Sequence, residues 1–336
     1  MFYMYNEYTQ KPYGVRDFLP DMAKLKRKVE NKLLSVFEEW GYEEIITPSF
    51  EYLETFLKGN SFNLGERIFK FFDRRGRVLA LKPDMTTPIA RVISNHYKNV
   101  KRPIRLCYFS NIFRFEEPRA GRQCEFHQAG VELVGIDSLD ADAEIIALSM
   151  KSLEELKITD LTINIGHIGF LEGLLSDLFF DYDIKQEIKG LLQKKDFVGL
   201  RKLIENLNLK TEDKILILHL TELHGKSDVI EKAKELTKCQ HALKAVEELD
   251  KLVDVLKNYN VDKSITVDLG LTRGLDYYTG IVFEIYSPFL GYPICGGGRY
   301  DNLIAKFGDP RPATGFAFNI EGILQIIERN KTWSNQ

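Results

Sequence analysis

Phe113-Arg114-Phe115-Glu116-Glu117-Pro118-Arg119-Ala120-Gly121-Arg122-Gln123-Cys124-Glu125-Phe126-His127-Gln128-Ala129-Gly130-Val131-Glu132 is the stretch that decides how this chain is read. Strand-like runs border and end it, Ile104–Phe109 on one side and Glu125–Val134 on the other, and they suggest a long antiparallel pair. Yet Arg114, Glu116, Arg122, Glu125, His127, Gln128 and Glu132 all fall inside this strand-like text. Strands that floor a cleft carry such residues, because one face is dry and the other is the site. A solvated face with cross-strand ion pairs is the competing reading. Thr272-Arg273-Gly274-Leu275-Asp276-Tyr277-Tyr278-Thr279 poses the same choice, between a site and a turn followed by core aromatics.

The flanking chain supplies the framework. Leu25, Val29, Leu33, Val36 and Trp40 recur on one helical face after Pro20, and Gly41 stops that helix. Tyr42 to Phe50 reads as a strand ending near Pro48. Ile68–Phe72 and Val78–Leu81 flank the turn Asp73-Arg74-Arg75-Gly76 and predict a hairpin, and Thr87-Pro88 opens a short helix with proline at its first position. A helix follows over about 140–156 and a strand over 161–165. From about 170 to 260 the text turns rich in Lys, Glu and Leu at helical spacing and reads as a helical insertion. Strands return at 265–269 and 281–286, then the run Gly296-Gly297-Gly298, then a helix over about 319–329. Helices, mostly antiparallel strands and a helical insert indicate an α+β fold around an antiparallel sheet.

Composition narrows the function. The chain has 336 residues, 44% of them hydrophobic, enough for a large core, and its formal net charge of −3 argues against a surface built mainly to hold nucleic acid. Cys107, Cys124, Cys239 and Cys295 form no C-x-x-C pair and read as reduced thiols. No secretory signal and no apolar run of about 20 residues is present, so a cytoplasmic protein with no membrane contact is expected. The phosphate loop, the dinucleotide-binding glycine motif, H-E-x-x-H and the nucleophile elbow are all missing, and the scattered histidines suggest no metal and no cofactor.

The polar clusters carry a resemblance. Phe113-Arg114-Phe115-Glu116, Ala120-Gly121-Arg122 and Glu125-Phe126-His127-Gln128 resemble motif 2 of class II aminoacyl-tRNA synthetases in its histidyl form. Leu271–Tyr278 is similar to the signature of the histidyl branch, and Leu81-Lys82-Pro83-Asp84-Met85-Thr86 to its amino-acid-binding turn. Gly14-Val15-Arg16-Asp17 and Cys295–Asp301 fit as well, and the stretch from Gly41 to Phe56 resembles motif 1, the dimer interface of the class. The implied fold is one class II synthetase-like domain over 1–336, an antiparallel sheet flanked by helices, interrupted by the insertion at about 170–260 and without a C-terminal anticodon-binding domain.

The departures from the family point away from catalysis. In a working synthetase motif 3 carries an arginine after glutamate, where this chain has Glu321-Gly322. That arginine clamps the ATP phosphates, and such preorganised cations are worth roughly a thousandfold or more in rate. Glu117 and Cys124 stand where the family usually has further arginines, although Arg119 could compensate in part. The amino-acid side looks intact. By resemblance, Asp84 and Thr86 face the ammonium of free histidine, Gln128 bridges ammonium and carboxylate, Arg273 and Arg114 meet the carboxylate, and Glu132 and Tyr278 take the imidazole nitrogens, with Tyr277 beside them. His127 is expected to pack within the sheet.

A kept ligand pocket with a lost ATP clamp resembles the family of regulatory subunits of the short-form ATP phosphoribosyltransferase. That resemblance implies a non-catalytic homodimer within a hetero-oligomer, a hetero-octamer, with the short catalytic subunit. Histidine would be its allosteric ligand in feedback on the first step of histidine biosynthesis, and transfer RNA would not be a partner. A truncated but active histidyl-tRNA synthetase and a synthetase-like sensor of some other enzyme are the alternatives.

Overall fold

The apolar stripe over residues 25–40 does form a helix, α1 (Pro20–Glu39), which buries Val29, Leu33, Val36 and Phe37. Proline occupies its first turn, where a missing N–H costs nothing. Gly41, at φ +81°, closes it. The N–H of Gly41 donates to Glu38 O and that of Tyr42 to Phe37 O, a Schellman cap. The computed structural model describes residues 9–59, 67–101, 103–115, 123–178, 180–226 and 228–330. Glu116, Glu117, Arg119 and Arg122, with Ala120 and Gly121, lie outside the described residues.

After α1 the chain forms less strand than its residues suggest. Only β1 (Glu43–Glu44) and β2 (Phe50–Tyr52) pair, in different sheets, and the chain crosses between those sheets at Pro48, which has no N–H for a ladder. Next come α2 (Leu53–Gly59) and the expected hairpin of β3 (Lys70–Phe72) and β4 (Val78–Leu81). Then α3 (Thr86–His96) places Pro88 third and not first, because Asp84, two residues before the helix, accepts the Thr87 N–H at 2.7 Å and starts the turn earlier.

β5 (Ile104–Phe113) and β6 (Glu125–Val134) pair along their full lengths, four residues further on β5 than the sequence suggested. They are followed by α4 (Leu139–Glu155), β7 (Thr162–His167), α5 (Ile168–Asp177), α6 (Tyr182–Gln193), α7 (Phe197–Asn206), α8 (Thr211–His219), the short β8 (His224–Gly225), α9 (Asp228–Leu236) and α10 (Gln240–Lys257). The last section holds β9 (Ile265–Asp268), β10 (Ile281–Tyr286), β11 (Cys295–Arg299), β12 (Ala313–Asn319) and α11 (Ile320–Asn330).

The large sheet runs β1-β5-β6-β12-β11-β10-β7-β9-β8, and β2-β4-β3 form a small one. From β5 through β7 every pairing is antiparallel. The β1–β5 and β7–β9 pairings are parallel, so the sheet is mixed toward its edges. Side chains alternate between the two faces. Cys107, Val131, Phe316, Phe283, Ile165 and Val267 point to one face and build the main core with α1, α4, α10 and α11. The registers Ser110↔Gln128↔Asn319 and Leu106↔Glu132↔Gly315 run across the other, and that face carries the polar residues. All four cysteines are buried and unpaired. No helix among the described residues is long and apolar enough to cross a membrane.

Candidate functional site

The polar face becomes a site because three strands give up their side chains. Gly130 on β6, Gly296 on β11 and Gly315 on β12 leave room for neighbours that a Cβ would strike: the Tyr108 ring, the Arg273 guanidinium and the Glu132 carboxylate respectively. Glycine weakens a strand, and its use on three neighbouring strands fits a floor over which large polar groups lie.

Glu132 is the deepest of these groups, 1% exposed. Thr86 at the start of α3 donates its hydroxyl to Oε1 at 2.8 Å, and the buried Tyr300 hydroxyl donates to Oε2. Burial pushes the Glu132 carboxyl up to about 8, against the pull of the two hydroxyls, and the charge of Asp84 adds to the rise. Asp84 itself is buried, and Thr87 donates to it from both backbone N–H and hydroxyl. Arg114, on the chain leaving β5, donates from Nε and Nη2 to Pro83 O at 3.2 and 2.7 Å and lies over the Phe126 ring. It thereby ties the 81–86 turn to the strand pair, and it lies within electrostatic reach of Asp84, Tyr277, Arg273 and Tyr278.

Arg273 enters from the loop before β10. Its Nη1 donates to Phe283 O at 3.1 Å and sits 3.3 Å from Glu284 Oε1, directly over Gly296, the register partner of Glu284. Its Nε is buried and, among the described residues, donates to no acceptor. Burial works against this guanidinium, but Tyr278 and Glu284 more than offset it and hold its pKa above the ordinary value. Tyr278 lies under the guanidinium, Tyr277 packs on Tyr278 and Tyr300, and Tyr108 lies within reach of Glu132, Asp84 and Tyr278. Gln128 is on the same face of β6, four residues before Glu132.

Asp84, Thr86, Arg114, Glu132, Arg273, Tyr277 and Tyr278 therefore come together around one end of the polar face, with Gln128 along its edge. Two details differ from the expected assignment. Thr86 turns its hydroxyl to Glu132, and Arg114 spends its donors on Pro83 O. Sequence reasoning gave no role to Tyr300, Glu284 or Tyr108, although Tyr300 stands inside the quoted Cys295–Asp301 match. His127 lies on the opposite face, where its Nδ1 is 2.8 Å from Glu321 and its ring meets Phe18 edge-on. Arg299 is held by Asp142 at 2.9 Å and Asp301 at 3.2 Å, in an internal ion-pair cluster.

The raised Glu132 value has a consequence for stability. The folded chain keeps a proton that the unfolded chain gives up near 4.5. The stabilisation is fully present below about 4.5 and is lost as pH rises through about 8. Without ligand, the wild type is expected to lose on the order of 2 kcal/mol more stability between pH 5 and pH 8.5 than Glu132→Gln does. Denaturant titrations at the two pH values measure this, and equal losses would mean that Glu132 is ionised throughout.

The surroundings of the three departures also matter. Gly322, at the start of α11, is buried, and a Cβ there would meet Leu290, Ile294 and Tyr292 at 3.3–3.5 Å. Cys124 is 4% exposed, and Gly14 packs against it while accepting the Cys124 N–H at 2.7 Å. Glu117, the third, lies outside the described residues.

Known proteins match this arrangement over most of its length. The family model described as histidyl-tRNA synthetase matches residues 14–323. An ATP phosphoribosyltransferase regulatory subunit of Desulforamulus reducens is 44% identical over 316 residues, covering 94% of this chain and 78% of that protein. A histidine–tRNA ligase of Methanocaldococcus jannaschii is 42% identical over 320 residues, covering 95% of this chain and 76% of that one. A crystal structure of an ATP phosphoribosyltransferase regulatory subunit/histidyl-tRNA synthetase from Bacillus halodurans superposes with a TM-score of 0.86 at 37% identity, over 94% of this chain and 83% of that one. The architecture is that of a class II aminoacyl-tRNA synthetase, and the chain belongs to the histidyl-tRNA synthetase family together with the ATP phosphoribosyltransferase regulatory subunits.

Proposed function

We propose that this chain is the histidine-sensing regulatory subunit of a short-form ATP phosphoribosyltransferase, required for the first step of histidine biosynthesis and carrying feedback inhibition by histidine. One contrast supports the reading most strongly. Asp84, Glu132 and Arg273 converge on the glycine floor, whereas Gly322 and Cys124, which replace triphosphate-binding arginines of the family, supply no cation: Gly322 packs against Leu290, Ile294 and Tyr292, and Cys124 against Gly14. Histidine would set its carboxylate on Arg273, its ammonium near Asp84 and Gln128, and its imidazole between Glu132 and Tyr278. A site of this kind rejects ligands without ring nitrogens, since its own buried polar groups would be left unpaired. Feedback then requires that histidine bind the inhibited assembly more tightly than the active one.

The chain has no aminoacylating activity of its own in this reading. It forms a homodimer through the small sheet, where Phe50, Tyr52, Phe71 and Phe72 are exposed beside Ile46, an apolar cluster of the kind that marks an interface. The hetero-octamer is built on that dimer.

The test combines the chain with a short-form catalytic subunit and follows both assembly and turnover. Sedimentation is expected to show a dimer alone and a larger hetero-oligomer in the mixture. The catalytic subunit should be nearly inactive by itself, active in the mixture, and inhibited again by histidine. Failure of the chain to activate any short-form subunit would remove the reading. Histidine-dependent ATP–pyrophosphate exchange by the chain alone selects the truncated synthetase instead, and histidine binding without activation selects a sensor of another enzyme.

A further inference from the structure

A cleft of about 500 Å³ opens on the polar face of the sheet, beyond Arg273, at the junction with the helical insertion. Lys195, from the α6–α7 connection, and His224 and Lys226, from β8 and the turn after it, line one wall. Asn164 of β7, Thr266 of β9 and Tyr286 of β10 line the floor. We propose that this cleft is a second ligand site, built for a small phosphomonoester on a polyol, of the size of a sugar monophosphate.

Charge comes first. Among the described residues no carboxylate lines the cleft, while two ammonium groups and an imidazole do. Lys226 donates to Ile265 O at 3.1 Å and Lys263 O at 3.4 Å, which fixes its position without neutralising it. The nearest carboxylates stand at the margin of the cleft and are shared with other partners. Asp268, paired with His224 across the β8–β9 ladder, accepts the Gly270 N–H at 3.1 Å and lies within electrostatic reach of His224 and Lys195, whose charge it offsets in part. Glu284 holds Arg273 and accepts the Tyr286 hydroxyl at 2.6 Å. A phosphomonoester carries a charge of roughly −1.5 to −2 near pH 7 and matches two cations; a backbone phosphodiester carries a single charge and matches them less well.

The floor adds hydrogen-bonding groups of both kinds. Asn164 is only 8% exposed and stands mid-strand, between Glu284 and Thr266 in the register, where a sheet facing a core would have an apolar residue. Its amide offers both donor and acceptor to the cleft. Because the Tyr286 proton is committed to Glu284, its oxygen faces a ligand as an acceptor. A polyol has hydroxyls that need both kinds of partner, and a bare oxyanion does not. The volume lies within the usual range of small-molecule sites.

Titration calorimetry of the full chain with glucose 6-phosphate, in the absence of histidine, tests the proposal without depending on the amino-acid pocket. Saturable binding is expected, weakened about tenfold or more by Lys195→Ala and again by Asn164→Ala, with glucose alone not binding detectably. Lys195 is exposed, so its removal leaves the fold intact. The proposal is overturned by absence of saturation up to about 10 mM. It is overturned equally by binding that Lys195→Ala and Lys226→Gln together leave unchanged, or by displacement of glucose 6-phosphate by a short single-stranded RNA at lower concentration, which would assign the cleft to a nucleic-acid backbone.

Discussion

Arg273→Ala is expected to weaken histidine binding by about a hundredfold or more, and to lower folding stability as well, because Glu284 loses its cation. The guanidinium is the cation proposed for the ligand carboxylate, it sits among buried tyrosines, and its Nε has no acceptor among the described residues. Without it a buried carboxylate would lose a forked, charge-assisted partner, the kind of loss that costs most because water cannot replace the partner. Arg273→Lys keeps the charge but not the fork and is expected to fall between the two. Gly296→Ala provides an independent approach to the same atom. A methyl group there would occupy the space of the guanidinium itself, so the arginine must leave while its charge stays in the molecule. Calorimetry on the three variants should rank Arg273→Ala and Gly296→Ala together as the weakest binders. Affinity unchanged in Arg273→Ala would remove the histidine pocket from this face of the sheet. Affinity kept in Gly296→Ala alone would show that the arginine binds from another rotamer.

The strands of this site differ in how plainly their residues mark them. β10 was legible to the residue, because Ile281–Tyr286 is a run of β-branched and aromatic residues broken by a single charge, and it pairs on both sides. β6 was legible as a strand despite its charges, because alternation sends Ala129, Val131 and Leu133 one way and Gln128, Gly130 and Glu132 the other. The same alternation puts His127 with the core-facing set, as expected of it, and Glu321 on α11 is the partner it finds there.

β11 was not legible. Glycine has little strand propensity, and the reason for Gly296 lies in Arg273, twenty-three residues earlier in the chain. Glu284 and Tyr300 escaped for a related reason. Each acts through one hydrogen bond to a residue on another element, and nothing in its local sequence marks that bond. The strand expected over residues 42–50 shortened because its ends belong to different sheets, a fact of topology and not of propensity. The family resemblance supplied what periodicity could not: which polar residues on separate strands meet.

Gly315→Ala should be the most damaging single methyl group in the site, costing about 3 kcal/mol of stability or more and abolishing histidine binding. Its Cβ would fall well inside van der Waals contact of two groups at once, Glu132 Oε2 and the Val131 carbonyl of the neighbouring strand. The first could move only by breaking the hydrogen bond that Tyr300 makes to it, and a buried carboxyl without its partner is costly. The second is backbone of β6, held in register by β5 on its far side, so β12 would have to separate from β6 at the centre of the sheet. Denaturant unfolding measures the loss, and the double variant Gly315→Ala/Glu132→Ala divides it. Removing the carboxylate relieves the first clash and leaves the second, so the double variant should recover only part of the stability relative to Glu132→Ala alone. If Gly315→Ala instead unfolds within about 1 kcal/mol of the wild type and still binds histidine, β12 can yield at that position, and the glycine is not what makes room for Glu132.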